Sequence, residues 1–167
     1  MLEEKYWGIV CNKLIKKSLF TKNKILFPKN IFHKEDLITM IKLFYFSEKI
    51  GKINKAFYNY VQHNQQTVKN FDKKKILMND YNFILELKNF FILYNKLDKF
   101  GKYIKRLQIN LYLNVFRLKY KNLEIFKILT KELKGKNLNW IYESEYFKEK
   151  NLSKKVRFLF FSKILLK

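Results

Sequence analysis

The side chains of this chain that could do chemistry are overwhelmingly amines. The sequence carries 36 Lys and Arg against 14 Asp and Glu, a formal charge of +22. Only Arg106, Arg117 and Arg157 are arginine, which leaves 33 lysines among those 36. They gather in groups with few acids between: Lys16 and Lys17; Lys29; Lys49, Lys52 and Lys55; Lys73, Lys74 and Lys75; Lys96, Lys99, Lys102 and Lys105, running into Arg106; and Lys154 and Lys155 beside Arg157. An ammonium on a flexible stem binds phosphate as a point charge, whereas the guanidinium fork reads base edges. The pattern points to a polyanion recognised by backbone and shape, nucleic acid first and an anionic membrane surface second. Part of the lysine excess has another source. The chain is rich in Lys, Asn, Ile, Phe and Tyr, with one Ala (Ala56), one Pro and four Gly, a bias that mirrors AT-rich codons.

Other chemistries lack their parts. There is no G-x-S-x-G, no P-loop and no H-E-x-x-H, and His33 and His63 lie far apart in unlike surroundings. His33, just ahead of a predicted helix, reads as a surface or capping residue. Glu143, Glu145 and Glu149 stand among lysines and read as a solvated, self-paired face. A single cysteine, Cys11, provides neither a disulfide framework nor a cysteine zinc site. We therefore expect no catalytic residue, no metal and no cofactor. Most aromatics fall at core spacing; Tyr94, Phe100 and Tyr103 are the candidates for stacking on bases.

The elements that must position these lysines are mainly helical. A length of 167 residues suits one domain. Residues 1–30 read as a basic N-terminal arm with one short helix, or equally as a helical cap on the core. Residues 34–46 follow the helical period at Leu37, Ile38, Ile41, Phe44 and Tyr45. A lysine-bearing bend over residues 47–51 leads into a second helix with Ile53, Ala56, Phe57, Tyr60 and Val61 inward. The polar stretch 62–80, with Lys73 to Lys75, reads as a loop, and Asp80 can cap a third helix with Phe83, Ile84, Leu87, Phe90 and Phe91 inward. Residues 92–105, "ILYNKLDKFGKYIK", read as a β-hairpin turning at Gly101. A fourth helix over about 106–119 is periodic in Leu107, Leu111, Val115 and Leu118. A fifth runs between an Asn122 N-cap and Gly135, and a basic helix over 147–167 closes the chain. The expectation is a single helical domain, residues 31–167, of about six helices with one β-ribbon extension.

No stretch approaches the roughly 18 apolar residues of a membrane span. The start, "MLEEKYWGIV", lacks the character of a transit peptide, which suits a protein encoded within an AT-rich organelle.

This series of elements resembles the small-subunit ribosomal protein family S-seven. "FPKNIF" matches the family's opening proline and hydrophobic-aromatic pair at Pro28, Ile31 and Phe32. "DLITMIKLFYFSEKIGKINKAFYNY" matches its first helix, lysine turn and second helix at Leu37, Ile38, Ile41, Lys49 and Tyr58. Lys96, Phe100 and Gly101 fall in register with its ribbon, and Arg106, Ile109, Leu111 and Val115 with the arginine-led helix that follows. "EIFKILTKEL" and "NLSKKVRFLFFS" resemble the last two helices. The departures are Glu48 at the turn glycine, with Gly51 three places later, Ile50 at the second lysine, an insertion over 137–144, and Val156 at an asparagine position.

The resemblance implies a structural protein of an organellar small ribosomal subunit, in the mitochondrial matrix rather than a plastid. Its implied partners are small-subunit rRNA of the head domain, neighbouring head proteins, and mRNA and E-site tRNA near the mRNA exit. It implies phosphate contacts from the bend lysines, the ribbon lysines, Arg106 and Arg117, and an N-terminal arm threaded between rRNA helices. The alternatives are another organellar ribosomal protein, a lineage-specific non-catalytic subunit of a membrane-bound respiratory assembly, or an RNA-maturation enzyme.

Overall fold

The computed structural model describes residues 8–59, 61 and 72–134. Among them are five helices and no strand: α1 (Lys17–Lys22), α2 (Glu35–Phe46), α3 (Lys73–Leu93), α4 (Leu97–Arg117) and α5 (Glu124–Leu133). The chain divides into two compact units, Met1–Ile104 and Lys105–Lys167, with the division inside α4. The expected mainly helical class holds. The closing helix with Lys154, Lys155 and Arg157, the insertion at 137–144 and the Gly135 cap lie outside the described residues.

The first unit is built on α2 and α3. Ile38, Ile41 and Leu43 of α2 are buried, as are Leu77, Phe83, Ile84, Leu87, Phe90 and Phe91 of α3. These positions repeat at three and four residues, so each helix turns one apolar stripe inward. The two helices run parallel. Lys34, before α2, pairs with Asp80 at 2.6 Å, Lys42 pairs with Glu86 at 2.5 Å, and farther along Tyr45 packs edge-on against Phe90. At the far end Phe46 meets Tyr94 with ring centroids 5.2 Å apart. Parallel neighbours cannot be joined by a tight turn.

A buried amide locks the start of α2. Asn79 is 1% exposed, and its side-chain oxygen accepts from Phe32 N at 2.8 Å and His33 N at 3.2 Å. Its Nδ2 donates to His33 O at 2.6 Å. The residue thus serves three backbone groups ahead of a helix whose N-cap, Lys34, makes no side-chain cap bond.

Residues 8–31 pack on this pair. Ile25 is buried with Met40 and Leu43, and Val10, Ile15, Leu19 and Phe20 lie against them. Gly8 approaches α2 so closely that an added Cβ would sit 2.3 Å from Leu37 Cδ1 and 3.0 Å from Leu37 Cα. Val10 N donates to Asp36 at 3.2 Å, tying the segment to the first turn of α2.

Three expectations are corrected. The β-ribbon over 92–105 is absent: α3 runs to Leu93, and α4 begins at Leu97 and continues through Gly101. The intervening turn is a helix ending of the Schellman type. Lys96 N bonds Phe91 O at 2.8 Å, Asn95 N bonds Ile92 O at 3.0 Å, and Asn95 takes φ 51. The lysine spacing argues the same way. Lys99 and Lys102, three apart, lie one turn apart on a helix, whereas on a strand they would take opposite faces. Second, α3 starts at Lys73 with Asp72 as its N-cap, accepting from Lys74 N at 3.0 Å, so Asp80 is an interior residue and Lys73 to Lys75 form a helical turn. Third, residues 51–59 are not helical, and Ile53 and Phe57 are exposed.

The described part of the second unit is an antiparallel helix pair. Ile109, Leu111, Tyr112 and Val115 of α4 are buried, as are Ile125, Leu129 and Leu133 of α5. Tyr112 stacks on Phe126 at 4.8 Å, and Gln108 donates to Glu132. Burial raises the Tyr112 pKa above the usual phenol value, and a hydrogen bond with the Thr130 side chain opposes that shift. The turn between the helices again has Schellman bonds, Tyr120 N to Val115 O and Lys119 N to Phe116 O, both 3.0 Å, with Lys119 at φ 62. The same pattern ends α1, with Lys24 at φ 50. Glycine usually fills this left-handed position. In a chain with four glycines, lysine and asparagine occupy it at a conformational cost of about 1 kcal/mol each. The start of α5 falls one residue past the expected Asn122, with Leu123 as N-cap and no side-chain cap bond.

Candidate nucleic-acid interface

The carboxylates and the lysines of the described residues have different fates. Asp36 accepts from Val10 N, Asp72 caps α3, Asp80 and Glu86 pair with lysines between α2 and α3, and Glu132 accepts from Gln108. Internal structure thus takes up five of the nine carboxylates among the described residues. Lys34 and Lys42 are spent in those pairs, and Lys13 is tied to Ile9 O and Asn12 Oδ1 at 2.5 and 2.6 Å. Burial lowers the Lys13 pKa, with Asp36 and Cys11 opposing. None of these three belongs to the predicted binding set.

The predicted set lies mostly on the surface. Lys16, Lys17, Lys29, Lys49, Lys52, Lys55, Lys73, Lys74, Lys75, Lys96, Lys99 and Lys102 are all exposed. Lys16 and Lys17 stand at the start of α1, and Lys29 lines an open groove with Pro28, Asn30, Ile31, Asn82 and Leu85. In the second unit Arg117 is exposed and donates to Asn114 Oδ1 at 3.0 Å, whereas Lys105 and Arg106 are half-buried.

Three groups are brought together locally. Lys73, Lys74 and Lys75 fill the first turn of α3, which carries no acid. Cations at a helix N-terminus oppose the macrodipole by roughly 0.3–1 kcal/mol each, and a bound phosphate relieves both charges. Lys99 and Lys102 lie one turn apart near the start of α4, with Lys96 just before it. Their ammonium groups sit over aromatic rings, 5.5 Å from the Phe100 centroid and 5.0 Å from that of Tyr103. Lys49, Lys52 and Lys55 share one exposed, non-helical stretch with only Glu48 as an acid nearby.

The proposed base-stacking rings are placed otherwise. Tyr94 belongs to an aromatic cluster with Tyr45, Phe46 and Phe90, at centroid distances of 5.5, 5.2 and 5.0 Å. Phe100 stacks on Phe91 at 4.2 Å, and Tyr103 is half-buried. Among the described residues the exposed phenylalanine and tyrosine rings are instead Phe27, Phe32, Phe57 and Tyr58. Phe57 and Tyr58 follow the lysines of residues 49–55 directly, so that stretch combines cations with exposed π-faces, as single-stranded nucleic-acid sites do. Sequence reasoning missed this because the helical period at 53, 57 and 61 directed those side chains to a core.

Among the described residues no group of His, Cys, Asp and Glu could hold a metal ion, and no helix is long and apolar enough to cross a membrane. Comparison with known proteins finds no matching family model, no matching curated protein and no matching solved structure.

Proposed function

We propose that this protein is a structural RNA-binding component of an organellar, mitochondrial small ribosomal subunit, resembling the S-seven family and holding head-domain rRNA. The carrying observation is the division of charge just described: carboxylates taken up within and between elements, lysines exposed in groups. Such a surface neutralises phosphates without reading sequence. The resemblance adds the address, near the mRNA exit and the E site, with neighbouring head proteins, mRNA and E-site tRNA in reach. The missing ribbon moves its lysines onto the start of α4, where they contact phosphate from a helix. Arg106 and Arg117 serve the same RNA from the second unit.

Sedimentation of the native protein from organelle lysate tests this reading. It should travel with small-subunit particles and be released by ribonuclease but not by detergent. Release by detergent alone would contradict it and favour a membrane-bound assembly.

A further inference from the structure

The helical period of residues 47–61 and their observed state disagree. Ile50, Ile53, Phe57 and Val61 recur at three- and four-residue steps, yet they are 63, 70, 76 and 75% exposed. On a helical wheel Lys52 and Lys55 fall on the side opposite that apolar stripe and Lys49 at its edge, beside Ile53. The segment therefore has the pattern of an amphipathic helix while its described residues are non-helical.

A second surface complements it. The outward face of α3 carries Met78, Asn82, Leu85, Asn89, Ile92 and Leu93, with Lys88 and Glu86 on its flanks and residues 28–31 along one edge, where Asn82 Nδ2 donates to Asn30 O at 3.3 Å. In a chain that is 30% charged, sixteen residues of helix present an uncharged face, on which Met78, Ile92 and Leu93 are 41, 48 and 73% exposed. The topology aims one surface at the other. Because α2 and α3 are parallel, the chain leaving Phe46 starts beside the Leu93 end of α3 and must come back to Asp72. A helix over residues 47–61 would be about 22 Å long, as is the face from Leu93 to Met78.

We propose that the uncharged face of α3 is the seat of residues 47–61, which fold onto it as an antiparallel helix when a phosphate backbone takes up Lys49, Lys52 and Lys55. Without the anion, three lysines spaced three apart repel one another along a short helix that is marginal by itself. With the anion bound, burial of Ile50, Ile53 and Phe57 against Met78, Leu85 and Ile92 drives folding. This rests on reading the three lysines as phosphate contacts, not on the ribosomal address.

Amide hydrogen exchange of the whole chain, with and without inorganic polyphosphate, tests it. Polyphosphate is held by charge alone, so the result does not depend on which RNA the protein serves. Protection across residues 49–59 is expected to rise more than tenfold. Ile53→Ser and Ile92→Ser, both at exposed positions, should each reduce that rise to less than threefold and, because folding and binding are coupled, weaken polyphosphate binding by the same lost factor, more than threefold. No rise in the unaltered chain, or a rise that survives both substitutions, overturns the proposal.

Discussion

The contact between α2 and α3 and the stretch that follows α2 draw on the same residue types and use them in opposite ways. In the contact, Lys34 and Lys42 are each paired with a carboxylate, and Ile38, Phe83, Leu87 and Phe91 are buried. In residues 47–59, Lys49, Lys52 and Lys55 are exposed beside the single acid Glu48, and Ile50, Ile53 and Phe57 are exposed with them. Lysine content therefore does not mark an interface in this chain. What marks it is whether a carboxylate has been placed to meet the ammonium. The contact is complete within the protein, whereas the stretch has chemistry to offer a polyanion.

The most forceful way to break this contrast is with salt. If the exposed groups neutralise six to ten phosphates, affinity for structured RNA should fall roughly 10³- to 10⁵-fold between 50 and 200 mM salt, about 4–7 kcal/mol. Changing Lys49, Lys52 and Lys55 together to Gln should lower the slope of log affinity against log salt by about three and leave the melting temperature unmoved. Equal slopes for both proteins would remove the stretch from the interface. Lys42→Gln, by contrast, should act on stability and leave the slope alone.

From the closed side, Asn79→Ala leaves Phe32 N, His33 N and His33 O without their partner. It should destabilise the protein by about 3 kcal/mol in denaturant titration, with the salt slope of the folded protein unchanged. A loss below about 0.5 kcal/mol would mean that water replaces the amide and that the junction is less closed than it is drawn here.

Smaller effects separate lysines that shape the backbone from lysines proposed to meet RNA. Lys24→Gly and Lys119→Gly put glycine at left-handed helix ends and should each raise stability by about 1 kcal/mol. Neither residue is in the binding set, so the RNA salt slope should move by less than one. A lower stability in either variant would show that the lysine side chain contributes more than its backbone strain costs.

Much of the inner architecture was legible from apolar spacing alone. Ile38, Ile41, Phe83, Ile84, Leu87, Phe90, Phe91, Leu111 and Val115 are buried where their period put them. Helix ends were harder to read, because glycine is the usual signal and here Lys24, Asn95 and Lys119 replace it. The false ribbon had the same cause in reverse: Gly101 lies inside α4 yet suggests a turn, and glycine in a helix interior costs up to about 1 kcal/mol that neighbouring contacts have to offset. The early start of α3 was hidden by three lysines that look like loop, although Asp72 ahead of them is a capping signal. Asn79 was hidden because a polar residue on an apolar stripe looks like a break in the helix, and only the fold shows the three backbone groups it serves. The lysine groups were legible as groups. Which lysines are spent internally was not, since that depends on Asp80 and Glu86, 46 and 44 residues away from their partners.

The central claim is that the exposed lysine groups, and not the paired ones, hold RNA. Photo-crosslinking of the native particle, with the crosslinked peptides mapped on the protein, tests it most directly. Crosslinks should concentrate at residues 47–58, at Lys73 to Lys75 and at Lys96 to Lys102, and should spare Lys34 and Lys42. Crosslinks that avoid residues 47–55 and the start of α4 would contradict both the interface and the ribosomal resemblance.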